Sequence, residues 1–169
     1  MRRPAITSRH HVQPADDRPA PTVPSGLVLA PFGRRILGAL LDQLLVLVPV
    51  AIGVVLAGYR PGDDLSDDEL LLMNAITVGV AFVYETVMVG VFGRTVGKIA
   101  AGTRVVSVSH GGSIGWFGAV QRALVPSVAA AVPAWGFVLG GIVYGLAFVH
   151  PLRQGLHDRA AGSVVVMHR

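Results

Sequence analysis

Two carboxylates stand inside long apolar runs: Asp42 within residues 36–57 (ILGALLDQLLVLVPVAIGVVLA) and Glu85 within residues 70–92 (LLLMNAITVGVAFVYETVMVGVF). A charge at the centre of a bilayer costs at least ~2.5 kcal/mol on insertion scales, so such groups persist where they are paired or used. Asp42 follows Arg35 by seven residues and Glu85 precedes Arg94 by nine, which sets each roughly 10 to 13 Å from the same end of its helix. On adjacent antiparallel helices the two carboxyls can share one proton or a small cation, because neighbouring carboxylates resist ionising together. The structural alternative pairs Asp42 with Arg35, two turns earlier on the same face, whose long side chain can snorkel. Gln43, Asn74, Thr77 and Tyr84 extend either a polar path or an interhelical hydrogen-bond network, and the network is the expected reading.

Other residue groups carry less chemistry. Gly93-Arg94-Thr95-Val96-Gly97-Lys98 has the look of a phosphate loop, but it is one residue short and continues with Ile99 in place of Ser or Thr, which excludes a nucleotide site. His157-Asp158 has the residue types of a metal or general-base site, yet no second ligand stands at the right spacing. Helix capping or pairing with Arg159 is expected there. Gly136, Gly140, Gly141 and Gly145 make small-xxx-small spacings suited to close helix packing, with packing inside the chain favoured over dimerisation. The absence of cysteine removes disulfides, thiolate metal sites and thiol nucleophiles.

The elements that position these groups follow from composition. In 169 residues, 52% are hydrophobic and 14% charged, too apolar for an ordinary soluble domain. A net charge of +4 raises nucleic acid as a partner, but no basic cluster is interleaved with aromatics, so none is expected. The reading is an all-α transmembrane fold with two spanning helices at about 34–57 and 70–92 and a third hydrophobic segment at 119–149 broken by Pro126 and Pro133. That segment is a kinked span or a hairpin, and the hairpin is favoured. Residues 1–31, rich in proline, form a disordered cytoplasmic tail, and their only apolar stretch, Leu27-Val28-Leu29-Ala30, is too short for a secretory signal. The loop 93–118 holds an alternating strand at Thr103–Val108, whose expected partner is Ser163-Val164-Val165-Val166 in a C-terminal strand at 162–167. Both would lie in the cytoplasm. Arginines crowd the tail and this loop, whereas the connector 58–69 carries Asp63, Asp64, Asp67, Asp68 and Glu69 against Arg60 alone, which places the N-terminus inside.

Phe32-Gly33-Arg34-Arg35 with Asp42 beyond it, then Gly93 to Lys98 leading to Thr103-Arg104-Val105-Val106, resembles the RDD family of bacterial membrane proteins. Arg122 at the third hydrophobic region and the closing run Arg153-Gln154-Gly155-Leu156-His157-Asp158-Arg159 to Val166 agree with it, so that residues 32–167 form an RDD-like membrane domain. The arginine and two aspartates of the family's name would be Arg35, Asp42 and Asp158. Ile99-Ala100-Ala101 and Ser163 depart from its usual residues without touching those three. The resemblance implies a multi-pass protein of a bacterial plasma membrane with transport as the usual suggestion.

Two functions are therefore expected. The first is a small transporter with Asp42 and Glu85 as an ion site, tuned by Arg35, Arg122, Arg153 and their neighbours Lys98 and His157. The second is a non-catalytic scaffold or accessory subunit. No enzymatic activity, cofactor or metal is expected, and the partners are the lipid bilayer together with a second copy or a membrane protein.

Overall fold

The computed structural model describes residues 23–24, 26–132 and 134–168. Two long helices come first, α1 (Phe32–Leu56) and α2 (Asp67–Phe92). Both are long and apolar enough to cross a membrane, and in their most apolar 18-residue windows only 6% and 11% of residues are buried. A core helix of a soluble protein would bury that surface; here Leu40, Leu44, Ile52, Leu72 and Val83 all face outward, as lipid-facing side chains do. Helix α2 begins three residues before its apolar run because Ser66 and Glu69 form a capping box, with the acids Asp67, Asp68 and Glu69 in the first turn against the positive end of the helix dipole. It ends at Gly93, whose left-handed φ of 68° lets the chain turn sharply. Thr95 then caps the short helix α3 (Val96–Ala100), which leads into strand β1 (Thr103–Ser107).

The third hydrophobic stretch runs out and back. Helix α4 (Gly115–Ala130) is followed by α5 (Gly136–Gly145), a single 3₁₀ turn at Leu146–Phe148, helix α6 (Leu156–Ala160) and strand β2 (Ser163–Met167). β1 and β2 pair antiparallel, from Thr103 opposite Met167 to Ser107 opposite Ser163, so both ends of the stretch return to one small sheet. The stretch is two helices joined by a break and not one continuous kinked helix. Pro126 sits inside α4, and the break falls after Ala130, while Pro133 lies outside the described residues. The arms, 16 and 10 residues long, are each shorter than the ~20 residues of a full span.

One expectation is corrected. The end of the N-terminal segment is not a disordered tail: Ala30 donates to the Val165 carbonyl at 3.1 Å, Met167 donates to Val28 at 2.8 Å, and Leu29 bridges Val166. Val28 to Ala30 thus cover the free edge of β2, supplying partners to backbone groups that would otherwise be left open. Ala30 is fully buried with Val89, Val105, Ala119 and Val165, and Leu27 and Leu29 pack on Val106, Leu152, Val164 and Val166. Residues 1–22 lie outside the described residues.

Helices α1 and α3 cross at two glycines. A Cβ on Gly97 would lie 2.1 Å from the Gly38 carbonyl oxygen and 2.8 Å from the Asp42 carboxyl, both closer than atoms can pack. Gly140, Gly141 and Gly145 instead have nothing within 4 Å of such a Cβ, so the small-residue face of α5 is not used for packing inside the chain as expected; only Gly136 abuts Ala130. Gly97→Ala is expected to lower stability by about 1–3 kcal/mol, read as a drop in the unfolding temperature in detergent, with Gly140→Ala unchanged. Equal unfolding temperatures would show that the α1–α3 crossing does not require glycine.

Candidate functional site

Asp42 points from α1 into the turn between α2 and α3. Its carboxylate accepts hydrogen bonds from the Tyr84 hydroxyl at 2.7 Å, the Gly97 backbone N–H at 2.7 Å and the Thr95 hydroxyl. Tyr84 in turn accepts from the Val96 N–H at 3.0 Å. The stretch that looks like a phosphate loop does therefore hold an anion, but the anion is the protein's own aspartate, fixed by the close approach of Gly97. The Lys98 ammonium lies 3.5 Å from Asp42, 4.0 Å from Glu85 of α2 and 3.2 Å from the Thr95 hydroxyl.

Glu85 continues the chain of charges. It binds Arg122 of α4, which reaches Asp158 of α6 at 3.0 Å, and Asp158 faces Arg35 of α1 at 3.9 Å. The order Asp42, Lys98, Glu85, Arg122, Asp158, Arg35 alternates in sign through five helices and begins and ends on α1. Three carboxylates are matched by one ammonium and two guanidinium groups. Pairing of this kind is what makes charge tolerable in an apolar surrounding, and removing one member strands its neighbour.

The two halves of this loop differ in access. Arg122 and Asp158 side chains are 3% exposed, whereas Asp42, Lys98 and Glu85 are 14–17% exposed. In the closed half, Asp158 also accepts from the Gly155 N–H at 3.3 Å, capping α6, and lies 3.5 Å from His157 Nε2. Burial alone would raise the Asp158 carboxyl; the opposing charges of His157, Arg122 and Arg35 hold it down to about 2. Burial pushes the His157 imidazole down to about 4, against the attraction of Asp158. Its ring packs on Tyr144 with centroids 4.6 Å apart, and its Nδ1 has no partner among the described residues. For Lys98, burial and then Arg122 lower the ammonium, opposed by Glu85 and Asp42.

Several expectations are corrected here. Asp42 and Arg35 do not pair: Arg35 turns toward the sheet, donating to Val165 at 2.7 Å, Ala30 at 3.3 Å and the Arg153 carbonyl. Two turns of helix separate the pair by ~10 Å, and nearer partners take both groups. Asp158 pairs with Arg122 and Arg35, not with Arg159. Arg153 touches no carboxylate of the network; its guanidinium lies 5.2 Å above the Phe32 ring and donates to Ala30, and its backbone carries an unusual φ of 52°. Of the expected polar network, Tyr84 joins Asp42, Asn74 donates to Ala130 at 3.3 Å, and Thr77 bonds within its own helix to Met73. Thr95 and the Gly97 amide were not anticipated, and the only signal for them was the anion-loop look of Gly93 to Lys98.

Apolar helices enclosing a charge network of this kind belong to an integral membrane protein. Residues 29–162 match the RDD family model, which covers most of the chain, and the protein belongs to that family. No curated protein and no solved structure matches it. Arg35, Asp42 and Asp158, which the resemblance singled out, are all members of the one network.

Two outcomes test the closed half. Asp158→Asn leaves Arg122 with Glu85 alone and Arg35 without a carboxylate among the described residues, and is expected to cost about 3–5 kcal/mol of stability, read by thermal unfolding in detergent; a loss under 1 kcal/mol would mean that the pair is not structural. His157 gives a pH signature. With a folded pKa of about 4 against 6.5 unfolded, stability is full above pH 6.5 and falls as the pH drops toward 4, because only the unfolded chain takes up the proton there. The total loss is about 3 kcal/mol. His157→Phe is expected to flatten that part of the stability–pH curve, and an unchanged slope would place the titration elsewhere.

Proposed function

We propose that this protein moves a proton or small cation across a bacterial plasma membrane, with Asp42, Lys98 and Glu85 as the group that takes it up and releases it. The observation that carries this reading is the Lys98 ammonium held between carboxylates from two different apolar helices, at the more accessible half of the network. Asp42 lies ten residues into α1 and Glu85 seven residues from the end of α2, about 15 and 10 Å along the helix axes. Loss of the lysine proton would leave two carboxylates facing one another, with the Thr95 hydroxyl beside them, an arrangement that favours uptake of a cation. The closed pair, Arg122 and Asp158, supports the reading as a rigid frame on which the other half can change charge.

In the same reading the sheet end faces the cytoplasm. Arg34, Arg94, Arg104 and Arg159 gather there, while Asp63 to Glu69 lie at the other end of α1 and α2, the asymmetry of the positive-inside rule. A second function, a scaffold or accessory subunit that binds another membrane protein, is favoured by the open glycine face of α5 at Gly140, Gly141 and Gly145.

Flux in sealed proteoliposomes under imposed proton, sodium and potassium gradients separates the two. Asp42→Asn and Glu85→Gln, purified in folded form, are expected to lose at least ten-fold in rate. Full flux in either variant would overturn the assignment of the site, and no wild-type flux across the ion panel would overturn transport in favour of the scaffold.

A further inference from the structure

The distribution of unmatched charge carries an inference that is independent of transport. At the sheet end the three carboxylates Asp42, Glu85 and Asp158 all turn inward and are matched by Lys98, Arg122 and Arg35. Among the described residues no other carboxylate stands at that end. Among the described residues, Arg34, Arg94, Arg104 and Arg159 have no carboxylate within ion-pair distance. Arg34 and Arg104 spend one N–H each on the carbonyls of Ala101 and Gly111, which leaves most of their donors open.

The level of these cations along the bundle says what would meet them. Arg34 is the third residue of α1 and Arg94 the second residue after α2, so both stand where two apolar helices end. Phe92, Trp116 and Phe117 are exposed at the same level, at 61%, 55% and 76%. Trp116 lies against Gly90, one turn before Arg94. An exposed tryptophan beside cations at the end of an apolar helix is the mark of the headgroup zone of a bilayer, and Phe92 and Phe117 add apolar surface just inside it. An acidic protein surface would find its cations outside that zone and without the aromatic collar.

We propose that this end of the protein selectively binds anionic phospholipid, with Arg94 and Arg34 on the phosphodiester and Trp116 lodged at the top of the acyl chains. The phosphate oxygens supply the anionic acceptors that the described residues lack there, and the negative surface of a cytoplasmic leaflet concentrates them. Arg104 and Arg159, on β1 and α6 behind the helix ends, extend the positive field over the neighbouring lipids.

The test uses Trp116 as its own reporter. The Trp135→Phe chain is reconstituted in phosphatidylcholine bilayers containing an increasing fraction of brominated lipid, either phosphatidylglycerol or phosphatidylcholine. Brominated phosphatidylglycerol is expected to quench Trp116 at no more than about half the fraction that brominated phosphatidylcholine requires. That preference should shrink in high salt and disappear in the folded double variant Arg34→Gln, Arg94→Gln. Equal quenching by the two lipids, or a preference untouched by the double variant, overturns the proposal. So does loss of the preference on adding glycerol phosphate, which would make the ligand a free phosphate. Native mass spectrometry of the unaltered chain with equal amounts of both lipids gives the same comparison without any substitution at Trp135: retained phosphatidylglycerol supports the proposal and indifferent retention overturns it.

Discussion

Charge inside an apolar surrounding has to be matched, and nearly every tertiary feature of this protein follows from how that matching is arranged. Asp42 and Glu85 sit on helices whose outward faces carry leucine, isoleucine and valine, where an unpaired carboxylate would not persist. Their cations come from elsewhere in the chain. Lys98 requires the sharp exit from α2 at Gly93 and the capped start of α3 at Thr95, Arg122 requires α4 to lie along α2, and Asp158 requires the return of α5 into α6. The small sheet is what holds that return in register. Helices, cap, hairpin and strands are thus parts of one electrostatic arrangement, and it starts and ends on α1.

Much of this was legible in the sequence because it is local. Two apolar runs of spanning length, a capping box at Ser66 and Glu69, and the alternation around Val105 and Val165 each depend on neighbours a few residues apart. The boundary of α2 shows the limit of hydropathy: its first turn is acidic, so an apolar count starts the helix late. The resemblance to the RDD family also held across most of the chain, and its three named residues proved to share a network.

What was not legible depends on approach in three dimensions. The spacing of Arg35 and Asp42 permits a pair, but Val165 and Asp158 compete for the arginine, and Thr95, Gly97 and Tyr84 compete for the aspartate. No pattern along the chain announces which competitor wins. Leu27 to Ala30 illustrate the same limit: four apolar residues between prolines are too few to signal an element, yet the edge of β2 gives them a place. The glycines of α5 err in the opposite direction, since spacing suggests a packing face and nothing lies within 4 Å of where a Cβ on Gly140, Gly141 or Gly145 would be.

The pairing of Val28 to Ala30 with β2 closes the fold on itself. The segment entering α1 bridges the strand that closes the described fold, so the path between them leaves one end of the two long helices and comes back to it. Both borders of the described fold therefore stand side by side. A strain that pulls on either border is felt at once by the other, because Val28 to Ala30 and β2 share their backbone hydrogen bonds.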